Sequence, residues 1–283
     1  MKAERASQTR NVECDLHINA APEAVWKALT DSQELVRWFA LNANIVPEKG
    51  GTYFLSWEGE YPWDARIDLI EPPGHLRLAM GWDSMSGDAP GEAAPSLIDI
   101  HLEAAGGGTN LRLAHSGFSM GQEWDEDFES TRNGWRSELR TLRLYVEKHL
   151  GHPRSTYFSR KPFDLSREEV WKLLTGKDGP WPLLGDVQQG ERVRVDVLGG
   201  THEARVELLD RGRAVILILE DIGDSHFRFE LAKDAGRINA FTWLCSWRLP
   251  HEEFTALAST LDAQLGAVPG AEPAMTKRSV AGR

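Results

Sequence analysis

This chain of 283 residues has few cysteines, no long apolar run and fewer basic than acidic side chains, 32 against 43. Its two cysteines, Cys14 and Cys245, lie too far apart in sequence to suggest a disulfide framework or a metal motif, so we expect a reducing, cytoplasmic environment. No run of about 18 apolar residues occurs and residues 1–10 are polar, so we expect neither a membrane span nor a secretory signal. The net charge of −11 argues against nucleic-acid binding.

The sequence also lacks the motifs that mark many enzymes. It contains no H-E-x-x-H, C-x-x-C, P-loop or dinucleotide fingerprint, so no metal and no cofactor is predicted. Residues 117–121 do match the G-x-S-x-G nucleophile elbow. That elbow needs a parallel sheet and a later Asp and His, whereas the strands around it are predicted to be antiparallel. Hydrolase chemistry is therefore disfavoured.

Acidic charge is concentrated in the first half. Residues 1–150 hold 24 Asp and Glu against 14 Lys and Arg, and five of these acids fall within 123–129. A solvated surface and favourable charge at the start of a helix explain this pattern. The alternatives are an acidic docking face and a hard-cation site, although the spacing fits no EF-hand loop.

A nine-residue stretch that occurs twice organises the rest of the chain. Residues 22–30 (PEAVWKALT) and 167–175 (REEVWKLLT) agree at six positions, including the tryptophan. Further matches follow in the strands, where Gly190 corresponds to Gly51 and Ala204 to Ala65. The sequence therefore predicts a duplication, with domains at 11–151 and 152–265 between disordered segments at 1–10 and 266–283.

The order of periodic segments predicts the fold of each domain. Alternating apolar residues indicate a first strand, helical spacing follows, and a run of strands separated by Gly and Pro turns precedes a closing helix. In the first domain Gly134 is unfavourable inside that helix, which suggests a start nearer Thr131 than Trp124. We predict two α+β domains, each a curved antiparallel sheet with two short helices and a long C-terminal helix across it.

This order resembles the START-like (SRPBCC) superfamily with its helix-grip fold, and within it the activators of heat-shock-protein-90 ATPase homologues. The resemblance rests on residues 21–29, Trp38-Phe39, 50–53, 111–118 and Gly134-Trp135. It implies a hydrophobic pocket under the last helix of the first domain. Eukaryotic co-chaperones of the family carry a different N-terminal domain that binds the chaperone. Two START-like domains in tandem depart from that pattern.

His115 is the most informative polar residue of the predicted pocket, because it shares a strand face with Leu111 and Leu113. It could anchor a ligand or act as a general acid or base, or it could be a core histidine satisfied by a backbone carbonyl or a tyrosine hydroxyl. His101 is predicted to lie on the opposite, solvent-facing side. The predicted ligand-binding residues are Trp38, Tyr53, Trp57, Trp63, Met80, Trp82, His115, Phe118 and Trp135.

The second domain has no polar residue on its predicted inner face. The residues expected to point inward are Val193, Val195, Val197, Ala204, Val206, Leu208, Phe227, Phe229 and Leu231. We therefore expect a filled core or a small dry pocket, and a structural or interaction role.

Taken together, these features predict that the first domain binds a small apolar or amphipathic molecule. One alternative is a protein-interaction module that regulates a chaperone or another protein. A second is a cyclase-like or hydrolytic enzyme that uses His115, although the sequence leans against catalysis.

Overall fold

A computed structural model describes residues 9–57, 60–80, 96–182, 187–234, 236–269 and 275–279. The chain divides into two compact units, Met1–Gly151 and His152–Arg283. In these described ranges, no helix is long and apolar enough to cross a membrane. Most of the N-terminal segment predicted to be disordered lies outside them, but the first strand already begins at Thr9.

The first domain is built on one seven-stranded antiparallel sheet in the order β1-β7-β6-β5-β4-β3-β2. The first strand lies beside the last one at one edge of the sheet, and β2 forms the opposite edge. The strands are β1 (Thr9–Ile18), β2 (Asn42–Ile45), β3 (Thr52–Trp57), β4 (Glu60–Glu71), β5 (His75–Met80), β6 (Ser96–Ala105) and β7 (Gly108–Ser119).

Period-two alternation explains most of these strands. Along β5, for example, Leu76, Leu78 and Met80 are buried while His75 and Arg77 point to the other face. In β4 the alternation breaks at a bulge, where the pairing register shifts between Ile67 and Leu69. Leu69, which the alternation of Ala65 and Ile67 would otherwise place on the inner face, is only half-buried as a result.

Three helices accompany the sheet: α1 (Pro22–Thr30), α2 (Ser32–Leu35) and α3 (Asp125–Leu144). Pro22 opens α1, and the Asp31 carboxylate caps α2 by accepting the backbone N–H groups of Gln33 and Glu34. A 3₁₀ turn (Gln122–Trp124) precedes α3, and one π-helical turn (Tyr145–His149) follows it.

Helix α3 packs against β1 and buries Trp135, Leu139 and Leu142. The expected start near Thr131 is wrong, because the helix begins six residues earlier at Asp125. Three acidic side chains in its first turn favour that start, since they meet the positive end of the helix dipole. Gly134 is simply tolerated inside the helix.

The second domain has its own seven-stranded antiparallel sheet, in the order β14-β8-β13-β12-β11-β10-β9. In the described residues its α-helices are α4 (Arg167–Thr175) and α5 (His251–Gly266), so one short helix precedes the closing helix here where two were predicted, and a 3₁₀ turn spans Glu220–Ile222. The strands are β8 (Ser155–Phe163), β9 (Arg192–Val197), β10 (Gly200–Asp210), β11 (Ala214–Leu219), β12 (Ser225–Asp234), β13 (Arg237–Ser246) and β14 (Met275–Ser279).

Strand β14 corrects the expectation that residues 266–283 lack structure. Met275–Ser279 pairs with β8 along the sheet edge, from Met275 opposite Arg160 to Ser279 opposite Thr156. Composition alone suggested disorder, but a strand edge offers unpaired backbone groups that a polar segment can satisfy. At the start of α4, Ser166 and Glu169 form a capping box.

The two sheets share one bulge, which supports the duplication. The bulge between Val206 and Leu208 in β10 repeats the bulge between Ile67 and Leu69 in β4. The backbone N–H of Gly50 donates to the Ile67 carbonyl and that of Gly190 to the Val206 carbonyl, each at 2.7 Å.

Gly190 therefore corresponds to Gly50 rather than to Gly51, the partner suggested by the sequence. Both glycines have a positive φ, 82° for Gly50 and 92° for Gly190, which only glycine adopts readily.

The two tandem domains are helix-grip domains of the α+β class, as predicted.

The interior of the second domain is an apolar cluster around Phe227, Phe229 and Trp181. Of the nine side chains predicted to face inward, eight belong to this cluster or pack against it. Leu208 is the exception: it is buried, but it follows the bulge in β10 and lies outside the cluster.

Candidate functional site

Five aromatic side chains of the first domain form one cluster, which we call the aromatic cluster: Trp38, Phe39, Trp57, Trp63 and Trp135. Phe39 lies at its centre. Its ring stacks on Trp38 at 4.9 Å between centroids and meets Trp57 at 5.4 Å and Trp63 at 5.6 Å edge-on. Trp63 also contacts Trp135 at 5.5 Å. Such offset and edge-on contacts are the favourable arrangements of aromatic rings.

The inner end of the aromatic cluster is fixed by hydrogen bonds to helix α1. The Trp38 indole N–H donates to the Ala28 carbonyl at 2.8 Å, and the Tyr53 hydroxyl donates to the Leu29 carbonyl at 2.9 Å. These two carbonyls belong to the last turn of α1, where helical partners are missing. Burial raises the pKa of Tyr53, so its hydroxyl stays protonated and able to donate.

His115 lies beside the aromatic cluster and is 2% exposed. The Trp135 indole N–H lies 3.0 Å from Nδ1, and the Ser96 hydroxyl lies 2.7 Å from Nε2. An indole N–H can only donate, so Nδ1 must be the acceptor and Nε2 must carry the proton. Nε2–H then donates to Ser96 Oγ, and the Ser96 hydroxyl donates to the Ser116 carbonyl at 3.2 Å.

This chain of hydrogen bonds decides what His115 can do. Burial lowers the pKa of His115 to about 4, so the ring is neutral near pH 7. Both ring nitrogens already have partners, so the histidine could act on a ligand only after Trp135 or Ser96 moved away. The arrangement is that of a satisfied core histidine, with an indole and a serine as partners instead of the expected carbonyl or tyrosine.

The other end of the aromatic cluster reaches the surface. Trp38 is 1% exposed, Phe39 9% and Trp135 6%, whereas Trp57 and Trp63 are only half-buried. These two tryptophans contact each other at 6.4 Å between ring centroids. Each therefore presents indole surface to solvent next to an interior that is already aromatic.

A second group of rings continues from His115 toward the start of α3. Phe118 contacts His115 at 4.9 Å and Phe128 at 5.6 Å, and the Arg10 guanidinium lies 4.3 Å from the Phe128 ring centroid. Arg10 also forms a 2.6 Å ion pair with Asp125. A cation over an aromatic face together with a carboxylate partner ties β1 to α3.

The structure thus places six of the nine predicted site residues in one continuous set of ring contacts: Trp38, Trp57, Trp63, His115, Phe118 and Trp135. Tyr53 lies at the base of the set through its bond to α1. Met80 is buried at the end of β5, where its register partners are Ala65 and Ser96. Trp82 lies outside the described residues.

Two members of the site were missed. Phe39 was named among the family motifs but not among the predicted ligand-binding residues, yet it contacts every other ring of the aromatic cluster. Ser96 could have been found, because it precedes Ile98 by two residues on the same strand face, and Ile98 pairs with His115.

A buried carboxylate was also missed, and its partners give it a structural role. Glu34 is 3% exposed, accepts from Arg37 at 2.7 Å, and lies 3.4 Å from the Lys27 ammonium. The Tyr145 hydroxyl also donates to it. Burial and this bond raise the pKa of Tyr145 to about 12. The network connects α2 to the π-helical turn after α3.

The remaining motif candidates have structural explanations. Ser119 of the G-x-S-x-G motif ends β7 opposite Thr9 in an antiparallel pair, which is not the strand-to-helix turn of a nucleophile elbow. Within the acidic stretch, Asp125, Glu126 and Asp127 occupy the first turn of α3, and Glu129 pairs with Arg132 at 2.5 Å.

The sheet, the closing helix and the rings between them define a helix-grip domain with an aromatic interior. Residues 19–147 match the family model described as "Activator of Hsp90 ATPase homolog 1-like protein". The first domain belongs to this family, as its motifs predicted. No curated protein matches the chain.

Solved structures with similar folds include the Aha1 dimer from Colwellia psychrerythraea, with 20% identity, 49% of this chain and 96% of that chain covered, and a TM-score of 0.43. An AHSA1-like protein from Rhizobium etli is 31% identical over 50% of this chain and 83% of its own, with a TM-score of 0.40. DynU16, from the dynemicin biosynthetic locus, is 17% identical over 91% of this chain and 96% of its own, again at 0.40. All three scores lie below 0.5, so none of these likenesses carries an argument about function.

Proposed function

We propose that the first domain binds a small apolar or amphipathic molecule against the outer end of the aromatic cluster. The observation that carries this proposal is the half-buried state of Trp57 and Trp63, next to rings that are almost fully buried. Large indoles left partly in water at the end of an aromatic interior are a typical recognition surface.

The chemistry of this surface indicates the type of ligand. Covering about 100 Å² of indole surface would contribute roughly 2.5 kcal/mol, and flat rings would gain further from edge-on contacts. His115 is not needed as an anchor, because Trp135 and Ser96 satisfy it. A polar group on the ligand would instead stay in solvent, which suits an amphipathic molecule with an aromatic or alicyclic body.

The test uses an amphipathic aromatic probe, 8-anilinonaphthalene-1-sulfonate, and native mass spectrometry of the purified full chain. We expect saturable probe binding that Trp63→Leu weakens by about tenfold or more, since the leucine removes most of the contact surface. The matched control is Trp243→Leu, which alters a half-buried tryptophan of the second domain stacked at 5.9 Å on Phe241.

A co-purified molecule that is seen with the wild type and lost with Trp63→Leu would support the proposal and identify the ligand class. The proposal is wrong if no molecule co-purifies and Trp63→Leu binds the probe as the wild type does. Comparable melting temperatures for the two variants would show that the comparison concerns the surface and not folding.

A second candidate is regulation of a chaperone ATPase, which the description of the matching family supports. In this case the acidic first domain would be the docking face, and the protein would act in the cytoplasm. The test is the ATPase rate of a bacterial Hsp90-type chaperone with and without the full chain. Stimulation that survives Trp63→Leu would favour protein docking over ligand binding at the aromatic cluster.

A further inference from the structure

The outer face of the first sheet carries three metal-ligand side chains on two neighbouring strands. His75 on β5 lies directly opposite His101 on β6, and Asp99 precedes His101 by two residues, so all three side chains share one face. That face is opposite the one that buries Leu76 and Ile100. The sequence identified His101 only as a surface residue, because pairing of β5 with β6 is needed to bring His75 to it.

The distances within this group are short. His75 Nε2 lies 2.8 Å from Asp99 Oδ1, and His101 Nε2 lies 4.0 Å from the same oxygen. The two imidazole rings are stacked with centroids 3.9 Å apart. One ligand atom from each residue can be chosen so that all three lie within 4.8 Å of one another.

We propose that His75, Asp99 and His101 bind a divalent transition-metal ion such as Zn²⁺, Co²⁺ or Ni²⁺. Ligand atoms about 2.0–2.1 Å from a tetrahedral ion are roughly 3.3 Å apart. The ion would lengthen the 2.8 Å contact and shorten the 4.0 Å contact by about half an ångström or slightly more. Because the two rings are stacked, the His75 and His101 side chains must also rotate so that one nitrogen of each ring points at the ion, while the paired strands keep the spacing of the backbone.

The donor set selects the class of metal. Two imidazoles and one carboxylate suit Zn²⁺ and its neighbours in the first transition row, whereas Ca²⁺ and Mg²⁺ prefer oxygen ligands alone. Three protein ligands leave a coordination position open to water. Asp99 and His101 also line a cavity of about 810 Å³ on this face, so a solvent or substrate molecule has room to reach that position.

Charged neighbours modulate the site. Arg77 Nε lies 2.9 Å from both oxygens of Asp99, which orients the carboxylate but also places a cation close to the metal. Arg112 pairs with His101 across the strands and adds a second cation. Glu71 adds negative charge, with a carboxylate oxygen 3.9 Å from His75 Nδ1, a distance too long for a hydrogen bond.

The site can be tested by titrating the full chain, freed of metal by chelation, with Co²⁺ and then displacing the ion with Zn²⁺. We expect visible absorption bands that saturate at one Co²⁺ per chain. His75→Ala and His101→Ala should each weaken binding by at least about tenfold. His101→Gln serves as a second variant that keeps the bulk of the side chain.

His251→Ala is the control, because it removes an exposed histidine at the start of α5, in the other domain. It should bind Co²⁺ as the wild type does. The inference is overturned if the wild type shows no bands, or if all variants bind equally well. Because this face is separate from the aromatic cluster, Trp63→Leu should leave the Co²⁺ titration unchanged.

Discussion

Acid should destabilise the first domain through His115, and the size of the effect follows from its surroundings. Burial holds the pKa of His115 at about 4 in the folded protein, against about 6.5 in the unfolded chain. Between these values the unfolded state binds the extra proton, so stability falls as the pH falls. From about pH 7.5 to about pH 5, this one group should lower the free energy of unfolding by about 2 kcal/mol.

The hydrogen bonds of His115 independently predict that the first domain becomes less stable as the pH falls. A proton added at Nδ1 would face the Trp135 indole N–H, which can only donate, so the protonated state loses a buried bond. Among the described residues, the partners of His115 are an indole and the Ser96 hydroxyl, and neither carries a negative charge that could compensate.

The assay is urea unfolding of the wild type and of His115→Gln at several pH values. Glutamine can accept from Trp135 but does not titrate, so the variant should show a flatter acid limb. The quantity to compare is the difference in the free energy of unfolding between the two proteins at each pH. The contribution of buried His226, whose pKa is lowered to about 3, is common to both and cancels.

We expect this difference to shrink by about 2 kcal/mol between about pH 7.5 and about pH 5. A difference independent of pH would refute the reasoning, as would an imidazole NMR titration of His115 close to the ordinary pKa. NMR should also find the proton on Nε2 at neutral pH.

Three further predictions concern stability. Tyr145→Phe should cost about 2 kcal/mol in urea unfolding, because it removes a hydrogen bond to the buried Glu34 carboxylate; an unchanged midpoint would show that Glu34 is satisfied without it. Gly134→Ala should raise stability by about 0.5–1 kcal/mol, since a Cβ there meets nothing within 4 Å and alanine favours the helix. Gly51→Ala should cost at least about 2 kcal/mol, because its Cβ would lie 2.0 Å from the Val46 carbonyl oxygen. Equal melting temperatures for the two glycine variants would contradict at least one of these last two predictions.

Much of the fold could be predicted because strand alternation and the repeated helix are local signals. Periodicity identified β5 and β6, and the repeat marked α1 and α4 as equivalent. Bulges are harder to predict, because one extra residue before Leu69 or Leu208 changes the face of the sheet on which the following side chains lie. Strand β14 was missed because pairing with a distant edge leaves little trace in a polar segment.

In the candidate site, too, some residues could be predicted from local sequence patterns and others could not. Residues such as Trp57 and Trp63 were predicted because they lie on the inner face of strands with clear alternation. The role of His115 depended on partners that only three-dimensional packing supplies, namely Trp135 and Ser96. The His75 and His101 pair likewise required the register between two strands, which no single segment specifies.

Register now allows the two domains to be compared position by position. Tyr53 pairs with Ala65, and in the second sheet Val193 pairs with Ala204, so valine replaces tyrosine. Trp63, opposite Leu55, corresponds to His202, opposite Val195. His115, opposite Ile98, corresponds to Leu244, opposite Phe227.

At these positions the second domain therefore has neither the indole of Trp63 nor the buried histidine, His115, of the first domain. Leu244 is 0% exposed, and His202 binds Asp221 at 3.0 Å instead of joining an aromatic cluster. Within the described residues, the second domain therefore lacks a counterpart of the aromatic cluster, and the proposed ligand has its site in the first domain. Native mass spectrometry should accordingly show at most one bound molecule per chain. A second equivalent, retained after Trp63→Leu, would mean that the duplicated domain has kept a pocket of its own.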